Sequence, residues 1–97
     1  MRVKYTERAR EDLDEIARYI SQDSMQKAID YLYKLKNKIK LLTVSPYMGL
    51  ECKAKGLKQD CRIMVIEKYL VFYTFDNDLI QIKRILHHSV NYQEKPL

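Results

Sequence analysis

The feature of this sequence that most constrains its fold is a change in the spacing of apolar residues about halfway along the chain. Up to residue 42, apolar side chains recur every three or four positions, which is the period of an amphipathic helix. From residue 61 they form three short runs rich in Val, Ile, Tyr and Phe, which are typical of β-strands. Helical segments followed by strands predict an α+β domain, with helices covering a sheet.

Two helices are predicted in the first half of the chain. Thr6 is a natural N-cap for the first helix, and Asp23 followed by Gln26 has the spacing of a capping box for the second. The apolar face of the first helix comprises Ala9, Leu13, Ile16, Ala17 and Ile20, and charged residues such as Asp12 fall outside it. The second helix has an apolar stripe at Met25, Ala28, Leu32, Leu35, Ile39 and Leu42. We expect this stripe to pack on the first helix as a hairpin, because fewer than three heptads are too few for a free coiled coil.

Strands are predicted at residues 3–5, 61–66, 69–75 and 79–86. Short polar connections join the last three, so they should form an antiparallel meander, whereas residues 51–60 lack periodicity and are predicted to be a loop. The order β-α-α-β-β-β gives an α+β fold in which a helical hairpin packs on an antiparallel sheet. We expect one domain over residues 1–97, with a polar C-terminal tail from about residue 89.

Composition excludes several classes of function. The two glycines, Gly49 and Gly56, are too few for the loops that hold phosphates or dinucleotides, so no cofactor is expected. No apolar run approaches the roughly 18 residues of a membrane span, and the N-terminal segment lacks an apolar signal region. We therefore expect a cytoplasmic protein that contacts no membrane.

The two cysteines, Cys52 and Cys61, are expected to be free thiols, because disulfides are rare in a reducing compartment. A metal site that combines them with His87 and His88 is the alternative. Neither the spacing of the cysteines nor the adjacent histidines fits a zinc-finger pattern, so we expect no metal.

The chain carries 18 Lys and Arg against 13 Asp and Glu, a formal net charge of +5. Such a surface attracts nucleic acid or an acidic protein segment without specifying which. The predicted basic surface comprises Lys34, Lys38, Lys53, Lys55 and Lys58. For the lysines of the second helix, a solvated helix face is the simpler interpretation.

Several motifs occur in a specific order along nearly the whole chain. They are Tyr5-Thr6 with Ala9 and Leu13, IARYI at residues 16–20, SPYMGL at 45–50, Arg62 at the opening of a strand, YLVFYTF at 69–75 and IKRILHH at 82–88. Together they resemble the RelE/ParE superfamily of toxins from bacterial type II toxin-antitoxin modules. The resemblance implies a toxin that inhibits growth, contributes to plasmid stabilization and is neutralised by a cognate antitoxin. A sheet with helices on one face also leaves its other face and an edge for such a partner, and an acidic antitoxin segment suits the net charge.

The superfamily contains two activities, and the sequence favours one. The resemblance implies either ribosome-dependent mRNA cleavage, as in RelE-like members, or inhibition of DNA gyrase without hydrolysis, as in ParE-like members. RelE-like enzymes have basic residues where this chain has Leu70 and Met64, and only Arg62 keeps its charge. Since RNA cleavage needs cations that stabilise the phosphate, we expect a ParE-like gyrase inhibitor. The alternatives are a RelE-like mRNA endonuclease, with the ribosome and mRNA as partners, and a non-catalytic binding module or inactive toxin relative.

The candidate site residues lie in and after the last predicted strand. The surface that binds the target is expected to comprise Arg84, His87, His88 and Tyr92. If the protein is an RNase, the same four residues and Arg62 are the catalytic candidates, because histidine suits proton transfer near neutral pH and Arg62 with His88 could hold a phosphate. For the two histidines, a solvated or hydrogen-bonded strand end is favoured over catalysis.

Overall fold

In the computed structural model, which describes residues 1–94, two helices pack on a five-stranded sheet. In chain order the elements are β1 (Arg2–Tyr5), α1 (Glu7–Ser21), α2 (Met25–Ile39), β2 (Leu50–Glu51), β3 (Arg62–Ile66), β4 (Tyr69–Asp76) and β5 (Leu79–His87), with 3-10 helices at Lys40–Thr43, Cys52–Lys55 and Tyr92–Glu94. The predicted α+β fold is confirmed. The prediction of a plain loop from residue 51 was wrong, because the sheet gains the two-residue strand β2 there, followed by a 3-10 helix.

The strand order in the sheet is β1-β5-β4-β3-β2. The helical hairpin connects β1 at one edge of the sheet to β2 at the other edge. The last strand, β5, then lies beside β1 and runs parallel to it, with Tyr5 opposite Ile82. The other neighbouring strands are antiparallel. For β3, β4 and β5 this confirms the meander that their short connections predicted. No helix within residues 1–94 is long and apolar enough to cross a lipid bilayer.

The main core lies between the helices and one face of the sheet. It contains Ala9, Leu13, Ile16, Leu35, Ile39, Leu42, Met64, Ile66, Val71, Tyr73, Ile80, Ile82 and Ile85. A second, smaller cluster lies on the opposite face, here called the far face, and contains Cys52, Leu57, Ile63, Phe72 and Leu86. The far face is therefore partly covered by residues 52–57, rather than left open as the sequence suggested.

Both helix N-caps are side-chain oxygens, and one is displaced from its predicted position. The Thr6 side chain accepts a hydrogen bond from the backbone N–H of Ala9, which confirms the first cap. The second cap is Ser24, whereas Asp23 instead forms an ion pair with Lys27 at 2.9 Å. Met25 consequently lies in the first turn of α2 and is 71% exposed, so its predicted place in the core stripe was wrong.

A β-bulge in β5 changes which side chains face the helices. Phe72 pairs with Arg84 and Tyr73 pairs with Ile82, so Lys83 has no partner on β4. The carbonyl of Lys83 instead accepts a hydrogen bond from the Thr6 hydroxyl at 3.0 Å. Because one residue is added, Ile85 faces the helices as Ile80 and Ile82 do, although simple alternation would place it on the far face.

Cys52 and Cys61 form a disulfide, so the prediction of free thiols was wrong. The pairing of β2 with β3 places Leu50 opposite Ile63 and Glu51 opposite Arg62, which makes the two cysteines the next pair along the ladder. Their Cα atoms are 5.2 Å apart, within the range that a disulfide spans. Residues 1–94 contain no group of three or more His, Cys, Asp or Glu side chains placed to hold a metal ion.

Candidate partner-binding surfaces

A cleft of about 1100 Å³ lies near the bend of the helical hairpin, above the ends of β4 and β5. Its walls include the aromatic rings of Tyr19, Tyr31 and Tyr69. The Tyr19 ring is 72% exposed, whereas Tyr31 packs edge-on against Tyr69 with ring centroids 6.0 Å apart. The cleft therefore contains exposed aromatic surface.

One wall of the cleft is held by the turn between β3 and β4. Lys34 of α2 forms an ion pair with Glu67 in this turn at 3.2 Å. Hydrogen bonds from Lys34 and then Tyr31 lower the pKa of Glu67, while burial and the bond to Glu67 raise the pKa of Tyr31. Glu67 has a positive φ of 53°, which side-chain-bearing residues rarely adopt. These contacts hold the helix layer against the sheet beside the cleft.

The two candidate histidines lie at the end of β5. The ring of His87 is 5.5 Å from that of Tyr69 and 4.5 Å from that of His88. His87 Nδ1 accepts a hydrogen bond from the Ser89 backbone N–H at 3.2 Å and lies 2.7 Å from the Ser89 hydroxyl oxygen. The His87 side chain at the end of β5 is therefore held by local contacts with Ser89.

Arg84 is buried, contrary to the expectation that it contributes to a surface. Its Nε donates to Asp12 Oδ2 at 2.9 Å, and its Nη2 donates to Asp12 Oδ1 at 3.1 Å. Asp12 Oδ2 also accepts a hydrogen bond from the Ile85 backbone N–H. The hydrogen bonds with Asp12 raise the pKa of Arg84. Both side chains are about a tenth exposed, so the Arg84 charge joins α1 to β5 beneath the cleft.

Sequence reasoning missed Asp12, which was assigned to the outer face of α1. No feature near Asp12 in the sequence distinguishes it from the exposed acidic residues around it. Its partner lies 72 residues further along the chain, so a local pattern carries no information about the pair.

Arg62 lies at the other end of the sheet from the histidines. It is opposite Tyr73 on β4, whereas His87 is opposite Tyr69. Four residues of strand separate these positions, or about 13 Å. Arg62 and His88 therefore do not form a common phosphate site.

The guanidinium of Arg62 instead holds the turn that precedes β2. It donates to the Gly49 carbonyl at 2.7 Å, lies 4.9 Å from the centre of the Tyr47 ring and forms an ion pair with Glu51 at 3.3 Å. Arg62, the basic residue that this chain shares with the RelE-like pattern, thus binds the protein's own backbone.

Tyr92 packs on the far face of the sheet, where its ring is 5.6 Å from that of Phe72. It belongs to the first residues of the predicted polar tail, of which residues 95–97 lie outside the part that the structure describes. Arg84 and His87 both line the cleft, whereas Arg62 and Tyr92 lie away from it.

The predicted basic residues lie in two separate groups. Lys34 and Lys38 lie on α2, and Lys34 is paired with Glu67. Lys53, Lys55 and Lys58 are exposed around the segment that covers the far face, where Lys53 pairs with Asp60 at 3.1 Å. The helices and the far-face segment lie on opposite sides of the sheet, so the five lysines do not form one continuous patch.

The helical hairpin on a mainly antiparallel sheet, together with the motifs it positions, defines a toxin of the RelE/ParE superfamily. The sequence model of the family described as "ParE toxin of type II toxin-antitoxin system, parDE" matches residues 3–92. This chain therefore belongs to the ParE toxin family.

Among solved structures, one from the chromosomal ParDE TA system from P. aeruginosa shares the fold. Its TM-score is 0.70 at 22% sequence identity, over 90% of this chain and 95% of that chain. A comparison with curated proteins gave no match.

Proposed function

We propose that this toxin inhibits DNA gyrase by binding to it without hydrolysing a substrate, and that a cognate antitoxin neutralises it. The observation that supports binding over RNA cleavage is that both candidate arginines are engaged by groups of the protein itself. Arg84 is buried against Asp12, and Arg62 is bound to the turn at the opposite end of β3. A target of this kind also places the protein in the cytoplasm.

RNA cleavage by attack of a 2′-hydroxyl requires a proton acceptor and cations around a single phosphate. His87 and His88 can accept protons, but the Arg84 guanidinium is paired with Asp12 and the Arg62 guanidinium is bound to the Gly49 carbonyl. Met64, at a position that RelE-like enzymes make basic, is in the main core, and Leu70 packs against the far-face cluster. The end of β5 is therefore better suited to a hydrogen-bonding contact with gyrase, formed by the two histidines, than to catalysis.

Purified gyrase provides the direct test. We expect the toxin to inhibit supercoiling and to increase cleaved DNA, and we expect no cleavage of mRNA in programmed ribosomes.

The double substitution His87→Gln and His88→Gln should retain most of the inhibition of gyrase, because glutamine can form hydrogen bonds but cannot transfer a proton as histidine does. A folded double mutant without toxicity, combined with mRNA cleavage by the wild type, would establish the RNase. Absence of growth arrest on expression would instead indicate a binding module or inactive relative.

The cleft is the proposed site for the antitoxin. Its exposed aromatic surface suits the apolar side chains of a partner segment, and the net charge of +5 favours an acidic segment.

Tyr19 and Tyr33 allow a matched comparison of this proposal, because they are 72% and 70% exposed and only Tyr19 lines the cleft. Tyr19→Glu should weaken antitoxin binding by about tenfold or more, whereas Tyr33→Glu should change it by less than about twofold. Equal effects of the two substitutions on titrated affinity would exclude the cleft.

A further inference from the structure

We propose that Cys52 and Cys61 form a reversible thiol–disulfide site that exchanges with small thiols and disulfides of the glutathione type. Its state would control how firmly residues 52–61, here called the 52–61 loop, cover the far face of the sheet. This inference is independent of the toxin's target.

The two sulfurs differ in their access to solvent. Cys52 is completely buried within the far-face cluster, whereas Cys61 is only partly buried, at the point where the loop rejoins the sheet. Thiol exchange requires a thiolate to reach one sulfur of the bond. The geometry therefore makes Cys61 the sulfur that is attacked and Cys52 the leaving group.

Complete reduction of the disulfide consumes two small thiols. The first forms a mixed disulfide with Cys61 and releases Cys52, which takes up the proton that the attacking thiol lost. A second thiol then attacks the mixed disulfide, leaving Cys61 as a thiol and the two small molecules joined as a disulfide. Oxidation is the reverse, with the small disulfide as oxidant. The chain contains only these two cysteines, so no other protein thiol competes.

The bond closes a short ring whose interior residues cover apolar surface. Leu57 packs in the cluster with Phe72 and Leu86. The other described contacts that hold the loop are modest. They include one backbone hydrogen bond from Cys52 to Cys61 at 2.8 Å, the exposed Lys53–Asp60 ion pair and a 3.4 Å contact from Gln93 to the Lys55 carbonyl. Exposed ion pairs contribute little, so reduction should loosen the loop.

The main core should not respond in the same way, because its contacts lie on the other face of the sheet. Local opening of the loop without global unfolding is the expected behaviour of a segment with few buried contacts. Reduction would then expose apolar side chains of the far-face cluster that the disulfide keeps covered.

Limited trypsin digestion tests this proposal, because exposed lysines occur both inside and outside the ring. The full chain is compared as the disulfide, after reduction by glutathione, and as the Cys52→Ser/Cys61→Ser variant. Cleavage after Lys53, Lys55 and Lys58 should be about tenfold faster in the second and third forms, while cleavage after Lys36 and Lys40 on the other side of the sheet stays within about twofold. Glutathione disulfide should restore the slow rate in the wild type and have no effect on the serine variant.

Three results would overturn the proposal. One is loop cleavage that differs by less than about twofold between oxidised and reduced wild type. The others are a disulfide that millimolar glutathione leaves intact in the folded protein, and thiols that glutathione disulfide leaves unoxidised, both measured by alkylation and mass spectrometry. If the serine variant does not fold, the two redox forms of the wild type decide the question alone.

Discussion

The pairing of Asp12 with Arg84 shows how one acidic residue can join the two layers of the protein. The carboxylate accepts two hydrogen bonds from the guanidinium and a third from the backbone of Ile85, next to the bulge in β5. A buried charge of this kind is tolerated because its partners replace the water that it loses. Asp12 therefore fixes the position of α1 over the sheet.

Removing that carboxylate should destabilise the protein strongly. Asp12→Ala leaves the guanidinium buried without its carboxylate partner, and we expect the free energy of unfolding to fall by about 3 to 5 kcal/mol. Urea denaturation measures the change. Glu11→Ala is the matched control, since Glu11 is the exposed neighbour on the same helix and should cost less than about 0.5 kcal/mol. Similar losses for both variants would show that the pair contributes no net stability.

Position 49 requires glycine because the surrounding atoms leave no room for a Cβ atom. A Cβ atom at this position would lie 2.7 Å from the Ile63 carbonyl oxygen and 2.7 Å from the Tyr73 hydroxyl. That hydroxyl accepts a hydrogen bond from the Gly49 N–H and donates one to the Pro46 carbonyl, so it cannot move without losing both. The glycine of the SPYMGL motif thus allows the turn to approach the sheet closely.

We expect Gly49→Ala to lower the free energy of unfolding by about 1 to 3 kcal/mol through overpacking. Gly56→Ala is an informative comparison, because its nearest neighbour is 3.5 Å away and its cost arises from a positive φ of 82°. That cost should be about 1 to 2 kcal/mol. Thermal denaturation of both variants checks the expectation, and a neutral Gly49→Ala would contradict the close approach.

At the scale of elements, the C-terminal part of the apolar stripe of α2 is its most deeply buried part, and the stripe continues into the 3-10 helix at Lys40–Thr43. Leu35 is 2% exposed and Ile39 and Leu42 are fully buried, whereas Met25 at the start of the helix is exposed. The periodicity of α2 predicted the stripe, but the position of the hairpin bend decides where the stripe meets α1.

Leu35→Ala should therefore cost about 2 to 5 kcal/mol, because it leaves a cavity between the helices and the sheet. Met25→Ala, on the same predicted stripe, should cost less than about 0.5 kcal/mol. Chemical denaturation with both variants measures the contrast. A loss below about 0.5 kcal/mol for Leu35→Ala would mean that this face of α2 is not core.

For the whole molecule, the contact between helix layer and sheet layer at Glu67 makes stability depend on pH. Hydrogen bonds from Lys34 and Tyr31 hold the pKa of Glu67 below its ordinary value of 4.5. The stabilisation is fully present above that value and is lost as the pH falls through the lower folded pKa. Because Glu67 is exposed, the effect is expected to be small.

Glu67→Gln isolates this contribution. The wild type should be more stable than the variant at neutral pH, and the difference should decrease toward zero in acid, as measured by urea denaturation across the acidic range. A difference that is the same at every pH would show that Glu67 stabilises the turn by some means other than its charge.

Much of the fold was predictable because it depends on neighbours in the sequence. Helix periodicity, the Thr6 cap and the hairpin-length connections all act within a few residues, so α1 and the three long strands were located correctly to within two residues at their ends. The second helix was predicted to continue through Leu42, whereas α2 ends at Ile39 and a 3-10 helix follows it. The ordered motifs were also sufficient to indicate the superfamily to which the family model assigns residues 3–92.

The remaining features required the tertiary structure, because each depends on residues that only the folded sheet brings together. The bulge at Lys83 is stabilised by Thr6, and Arg84 is buried by Asp12. Cys52 and Cys61 become neighbours only when the two-residue strand β2 pairs with β3. Residue type and spacing determined which segments are helical or extended, whereas long-range pairing decided which charges are buried, which surfaces remain accessible and whether the cysteines meet.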